Sequence, residues 1–266
     1  MKSLITTKNC LRCNNPFHSN IMIVNDDICP TCMRMNSITF WLPRLQNVGF
    51  PVPKTIMINA DVDLCHIIDE GIIKEDNRFF DELDRAIDIL GVPVFLRTEM
   101  LSNKWDWKES CFLENKKNII SHVANLFEAS ALANIDRFTD CNFFAIREFI
   151  ETEKVFIYFN DMPITKEIRV FIKNGKILCQ HPYWPDEAFE NINSDLIKKV
   201  QILDKKDKEI INRMGVYLSN VFHGWWSVDF LKSKHTGWYV TDMAIGENSW
   251  HFDNCSNNLL KNNPLT

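Results

Sequence analysis

The chain has 266 residues, of which 45% are hydrophobic and 12% aromatic, a composition that describes one large folded domain or two modest ones and excludes a disordered protein. Its net charge of −5 argues against a general nucleic-acid binder, which would present a basic face. With 8 glycines and neither GxxxxGK[ST] nor GxGxxG, the sequence gives no support to a P-loop or dinucleotide fold, and no apolar run reaches bilayer length.

Cys10-Leu-Arg-Cys13 and Cys29-Pro-Thr-Cys32 come first, two CxxC pairs separated by 15 residues. That spacing matches a structural zinc site in which four thiolates surround a tetrahedral ion. The N-terminus lacks the apolar core of a signal peptide, so a cytosolic protein is expected, where thiols stay reduced and paired cysteines bind metal more often than each other. His18 lies between the pairs and could replace a thiolate, although four cysteines make it unnecessary. A segment of about 35 residues buries little core, so the metal is expected to supply its folding energy. A cap on the main domain is the expected role, with a docking or nucleic-acid contact as the alternative. The other cysteines, Cys65, Cys111, Cys141, Cys179 and Cys255, are scattered singly. Cys141 and Cys179 lie in or beside apolar runs and read as core thiols, and none is marked as a nucleophile.

A proline-punctuated stretch from Trp41 leads into a short strand, Thr55 to Ile58. Arg78 to Leu90 carries apolar residues at 79, 80, 83, 86, 87 and 90, a helical stripe, and Gly91 stands where a C-cap glycine belongs. Val92 to Leu96 reads as a buried strand that delivers Arg97 to its end. Asn118 to Ala133 is a second amphipathic helix, followed by strands over Asn142 to Ile150 and Lys154 to Phe159. Glu167 to Lys173 and Lys176 to Gln180 form a hairpin about Asn174-Gly175, a favoured tight-turn pair. Alternation puts Glu167, Arg169 and Phe171 on one face of that strand, with Ile168 and Val170 on the other. Two helices follow, Ser194 to Leu203 and Lys206 to Phe222, and the charge run Asp204 to Lys208 that joins them reads as a solvated face.

Ser227 to Met243 reads as a closing hairpin. If its turn is centred on Lys234-His235-Thr236, Asp229 and Asp242 face each other across an antiparallel pair. Like charges so placed repel, and a divalent cation suited to hard oxygen ligands would offset the repulsion. An offset register would send the two groups to opposite faces instead. Strands and helices mix without strict βαβ alternation, so the fold class is α+β.

Four segments, in this order, resemble the ATP-grasp superfamily: Phe95-Leu-Arg-Thr-Glu-Met-Leu-Ser-Asn-Lys-Trp-Asp-Trp-Lys108; Ala145-Ile-Arg-Glu-Phe-Ile150; Glu167-Ile-Arg-Val-Phe-Ile-Lys-Asn-Gly-Lys176 running on to His181-Pro-Tyr-Trp184; and Ser227-Val-Asp-Phe230 through Asp242-Met-Ala-Ile-Gly-Glu-Asn-Ser-Trp250. The chain looks most like the small stand-alone ATP-grasp proteins of bacteriophages and bacteria, related to the cell-division-cycle type that helps assemble a translation initiation factor. The resemblance implies a zinc ribbon at 1–40, a pre-grasp segment at 41–92, an ATP-grasp domain at 93–255 whose two α+β lobes meet near 147–153 with ATP between them, and a tail at 256–266. It assigns Asp229 and Asp242 to Mg²⁺. The family's asparagine two residues after the second acid is Ala244 here, so either Glu247 or Asn248 reaches back as a third ligand or the site holds one metal more weakly.

By the same resemblance Arg97 and Lys104 hold phosphates, as arginine and lysine differently suit. Arg147, Glu148, Phe149 and Ile150 match the hinge that contacts adenine through the main chain, with Arg147 either aimed at the nucleotide or bridged to Glu148 or Glu151. Arg169 would neutralise charge during phosphoryl transfer, its alternative being a buried pair with Glu167. Arg169 and Asp242 are the residues expected to carry catalysis, and Lys166 is a further ATP contact. His181-Pro-Tyr-Trp184, Ser249, Trp250 and His251 read as packing or as the lining of an acceptor pocket. The implied activity is an ATP- and Mg²⁺-dependent carboxylate–amine or carboxylate–nucleophile ligase working through an acyl phosphate, with structural Zn²⁺ in the ribbon. Its implied partners are ATP and carboxylate and amine substrates, a peptide or protein terminus among them. No membrane or nucleic-acid partner is expected, and the implied location is the cytoplasm, the host's if the protein is phage-encoded. Two readings of other classes are an ATP-binding assembly factor without ligase turnover and, disfavoured by acidity, a zinc-ribbon nucleic-acid binder.

Overall fold

A computed structural model describes residues 5–20, 27–60, 78–135 and 142–258 of the chain. It divides into two compact units, one of residues 1–52, 151–156 and 163–266, the other of residues 53–150 and 157–162. The chain up to Val52 packs with the first unit, while the strand that follows is pinned by its pairing into the sheet of the second.

The first unit opens with β1 (Ile5–Asn9) and β2 (Pro16–Asn20), an antiparallel hairpin. A short helix, α1 (Pro30–Met33), begins just after Cys29, with Pro30 in the first turn where its missing N–H costs nothing. Ser37 caps the next helix, α2 (Ile38–Asn47), by accepting a hydrogen bond from the Thr39 N–H at 3.2 Å. One face of α2 buries Ile38, Trp41, Leu42 and Leu45.

The second unit contains β3 (Thr55–Asn59), α3 (Arg78–Leu90), β4 (Val94–Thr98), β5 (Phe112–Leu113), α4 (Ile119–Ile135) and β6 (Phe143–Glu148). Its sheet has the order β3-β6-β4-β5, antiparallel throughout. The apolar stripe of α3 supplies Phe79, Leu83, Ala86 and Ile87 to a core completed by Val123, Leu126 and Phe127 of α4 and by Ile58, Val94, Leu96, Phe144 and Ile146 of the sheet. Strand alternation then places Phe95, Arg97, Ala145 and Arg147 on the opposite face, where Phe95 pairs with Arg147 and Arg97 with Ala145. β4 runs two residues further than expected, so Arg97 sits inside the strand and is buried. β6 stops at Glu148 and leaves Phe149 and Ile150 outside the ladder.

β7 (Phe156–Tyr158) pairs with β8 (Met162–Ile164) across a turn in which Phe159, Asn160 and Asp161 all have positive φ. The remaining sheet of the first unit has the order β10-β9-β11-β12, built from β9 (Glu167–Lys173), β10 (Lys176–Pro182), β11 (Trp225–Ser233) and β12 (Gly237–Ile245). Positive φ at both Asn174 and Gly175 gives the β9–β10 hairpin the tight turn that its dipeptide favours. Helices α5 (Ser194–Gln201) and α6 (Lys205–Val221) contact β9 and β10, and α6 comes close enough at Gly215 that a Cβ there would lie 2.8 Å from Ile177. Val170, Ile172, Val228 and Phe230, all fully buried, form the core of that helix-covered side. The charge run Asp204 to Lys208 is exposed as expected at every position but Asp207. Asp204 caps α6 by accepting from the Asp207 N–H at 2.8 Å, and Asp207 is buried, ion-paired to Lys232 and accepting from the Trp238 indole at 3.0 Å.

Candidate functional site

The β11–β12 turn is centred where the sequence placed it, yet that turn alone would not oppose the two aspartates. Its ladder runs from Ser233↔Gly237 to Phe230↔Val240, which if continued would set Asp229 against Thr241 and send Asp242 to the other face. A β-bulge makes Thr241 the extra residue and brings Asp242 directly opposite Asp229. Directly opposed side chains lie about 5 Å apart at Cβ.

The register continues across the sheet. Asp229 pairs with Arg169 on β9, and Arg169 with His181 on β10, so Asp242, Asp229, Arg169 and His181 form one row over four strands. Within it Arg169 donates from Nε to Asp229 Oδ1 at 2.8 Å and from Nη2 to Oδ2 at 2.9 Å, a bidentate pair. The partner of Arg169 is thus Asp229, where the sequence offered Glu167. Burial disfavours the Arg169 charge, but Asp229, helped by Tyr183 and Asp242, more than compensates and raises its pKa above the ordinary value. The Tyr183 ring lies 5.0 Å from the guanidinium carbon. Asp242 accepts from the Met243 N–H at 3.0 Å. Two opposed hard-oxygen donors beside a guanidinium fit Mg²⁺, which takes one or two carboxylates and completes its octahedron with phosphate oxygens and water.

Other residues of the expected set go elsewhere. The Glu247 carboxylate accepts from Arg12 Nη1 at 2.7 Å, with the two side chains only 10% and 7% exposed, so an arginine of the N-terminal cysteine segment already partners it. The Asn248 side chain lies outside the described residues. Lys166 continues the β9–β11 ladder beside Lys232, with its carbonyl accepting from the Lys232 N–H at 3.0 Å. Alternation puts Lys166 with Ile168 and Val170, on the face opposite Arg169.

In the second unit Arg97 and Arg147 are buried on the sheet face away from the core. Arg97 Nε donates to the Thr98 carbonyl at 3.1 Å and Arg147 Nε to Thr55 Oγ1 at 3.2 Å. The carboxylates proposed as alternatives for Arg147 have other contacts: Glu148 accepts from the Lys54 N–H at 2.8 Å, and Glu151 from Lys234 at 2.6 Å. Lys104 opens a short 3-10 segment, Lys104–Asp106, behind Asn103 in the left-handed region. Phe149 joins a ring cluster with Trp107 at 6.3 Å and with Phe112 at 5.1 Å, the latter outside every motif segment.

Cys10, Cys13, Cys29 and Cys32 bring their sulfurs within 4.8 Å of one another, a cluster that fits a zinc ribbon. Cys13 and Cys29 are 3.8 Å apart, the edge of a tetrahedron with bonds of about 2.3 Å. Burial pushes the Cys10 thiol up, but backbone donors from Cys29, Cys13 and Arg12 outweigh it and bring it down to about 7, whereas burial raises Cys29 and Cys32. His18 is not part of the cluster and lies 3.3 Å from Thr7 Oγ1. Arg12, inside the first CxxC, also donates to the Trp225 carbonyl at 2.7 Å and stacks over Trp226 at 4.8 Å, so the ribbon is docked on the closing hairpin. That makes it a cap within its own unit.

Cys179 is not a core thiol. It is half-buried on β10 with His251 Nε2 3.8 Å away, in a second cluster with His181 and Cys255. The sequence carries it as Cys-x-His and His-x3-Cys, but the halves lie at 179–181 and 251–255, too far apart to read as one motif. Cys111 is fully buried and burial pushes it up to about 12, while Cys65 and Cys141 lie outside the described residues. Trp184 packs against Tyr183 and Phe189.

No family model and no curated protein matches the sequence. Among solved structures, C-terminally truncated Cdc123 from Schizosaccharomyces pombe superposes with a TM-score of 0.57 at 12% identity, over 82% of this chain and 86% of that one. D-alanine–D-alanine ligase from Bacillus anthracis complexed with ATP gives 0.46 at 18% identity over 81% of this chain, and a RimK domain ATP-grasp protein from Sphaerobacter thermophilus gives 0.44 at 12% over 82%. The chain spans 55% and 61% of the length of those two proteins. No helix among the described residues is long and apolar enough to cross a membrane.

Proposed function

We propose that this chain, which has the ATP-grasp fold, is an ATP- and Mg²⁺-dependent ligase that activates a carboxylate as an acyl phosphate and passes it to an amine or another nucleophile. The observation that carries the reading is the row Arg169–Asp229–Asp242, in which a fixed guanidinium lies beside two opposed carboxylates. Mg²⁺ held by Asp229 and Asp242 would neutralise charge on the phosphates of ATP. Arg169, oriented by both oxygens of Asp229, keeps donors in place for the transferring phosphoryl group without reorganising. Arg97 and Lys104 would hold phosphates, Arg147 would reach toward the nucleotide from the hinge segment it shares with Glu148, and the main chain at Phe149 and Ile150 would meet the adenine, as the resemblance implies. Glu247 would have to exchange Arg12 for Mg²⁺ to join as a third ligand, and Lys166 lies on the face of the sheet opposite Arg169. No covalent enzyme intermediate is required, since alignment and charge stabilisation suffice for such chemistry. The N-terminal four-cysteine cluster would hold structural Zn²⁺.

Mg²⁺–ATP is expected to raise the melting temperature, and ADP release should appear when the right carboxylate and amine are supplied. Asp242→Asn should weaken Mg²⁺ by about 100-fold or more, since even outer-shell changes at metal sites cost about 10–100-fold. Unchanged ADP release in that variant would sink the assignment. Stabilisation by Mg²⁺–ATP with no ADP release under any carboxylate–amine pair would favour an ATP-binding assembly factor, and no stabilisation at all would end both readings.

A further inference from the structure

We propose that Cys179, His181, His251 and Cys255 form a second metal site, one that takes a zinc ion. The four side chains come from two places, Cys179-Gln-His181 on β10 and His251-Phe-Asp-Asn-Cys255 in the segment after β12. One ligand atom from each lies within 4.8 Å of the others. Cys179 Sγ and His251 Nε2 are 3.8 Å apart, close to the edge of a tetrahedron with Zn–S and Zn–N bonds of about 2.3 and 2.0 Å.

The backbone is arranged to make this meeting. Ile177 pairs with Ile172 and faces the helices, and plain alternation would send Cys179 after it. A bulge makes Leu178 the extra residue, so Cys179 pairs with Phe171 and His181 with Arg169, both on the opposite face. His251 is only 3% exposed and its ring lies 3.5 Å from that of Phe171, centroid to centroid. His181 Nε2 is buried with no hydrogen-bond partner among the described residues, and His251 turns its Nε2 toward Cys179. Buried polar groups are rarely left so, and an ion is one of the standard reasons when they are. Cys179 and Cys255 are both thiols, not a disulfide.

Two sulfur and two imidazole donors with no carboxylate select zinc over the hard cations. Four protein ligands close the coordination shell, so the site is structural, and two thiolates cancel the ionic charge beside Arg169. Its effect is to fasten the segment after β12 onto β10, where Asn257 Nδ2 also donates to the Leu178 carbonyl at 3.3 Å and Ser249 meets Ser227 at 2.9 Å. Ser227 lies one alternation from Asp229, so the clamp borders the acidic row without supplying a ligand to it.

The test is the zinc content of the full chain, produced with zinc under reducing conditions and measured by plasma mass spectrometry. His251→Asn and Cys255→Ser should each hold one zinc fewer than the unmodified protein. Because either variant could misfold, the unmodified chain is also reconstituted with Co²⁺, whose visible spectrum should show an S2N2 site in addition to an S4 site. Equal zinc in the variants and the unmodified chain, a Co²⁺ spectrum of S4 type alone, or a Cys179–Cys255 disulfide in the native protein would overturn the proposal.

Discussion

Asp229 is 4% exposed and receives both guanidinium hydrogen bonds of Arg169, with a second carboxylate directly opposite. Removing Arg169 would leave an uncompensated buried charge, and breaking a buried pair from one side typically costs about 3–5 kcal/mol. Arg169→Met should lose that much in urea unfolding. Millimolar Mg²⁺ should recover part of it, because the ion would then be the remaining partner of the two carboxylates. If Mg²⁺ leaves the variant's midpoint where it was, the acidic pair is not a cation site. The residues themselves were legible in the sequence: an aspartate on each arm of a hairpin and an arginine on an alternating strand. Which carboxylate the arginine would choose was not, because Glu167 is two residues away on the same strand face while Asp229 is reached only through strand order.

At the scale of elements, two bulges decide what each face presents. The one at Thr241 opposes Asp242 to Asp229, and the one at Leu178 turns Cys179 and His181 away from the helix side. Neither is marked by glycine or proline, so alternation patterns read straight through them. Close approach is a second element-level constraint. Gly246 follows β12, and a Cβ there would lie 2.5–2.6 Å from three atoms of the Trp225 indole. Gly246→Ala should therefore cost about 1–3 kcal/mol by overpacking, read by urea unfolding. Gly215→Ala should cost less, since its Cβ would meet the movable end of Ile177. Equal costs at the two positions would contradict this ranking. The helix and strand assignments in the second unit were the easiest to read, because the stripe of α3 maps directly onto its core contacts.

For the whole molecule, the zinc ribbon is tied into its unit through Arg12, which reaches Trp225, Trp226 and Glu247. Chelation should therefore release the N-terminal segment, with limited proteolysis cutting first between residues 5 and 33, and should loosen the loop carrying Glu247. Zinc needs deprotonated thiolates, and burial raises Cys29 and Cys32, so protons compete for the cluster. Zinc retention against a chromophoric chelator should fall as pH falls and rise as pH rises; a flat profile would speak against thiolate ligation. The sequence by itself determined the four-cysteine cluster, the amphipathic helices, the hairpin turns and the order of motifs, because each is written in spacing over a few residues. Tertiary structure alone decided that Glu247 goes to Arg12, that Asp207 is buried, and that two cysteines and two histidines about 70 residues apart meet. Those outcomes depend on register and strand order, where a single inserted residue changes which face a side chain takes, and no local pattern records that choice.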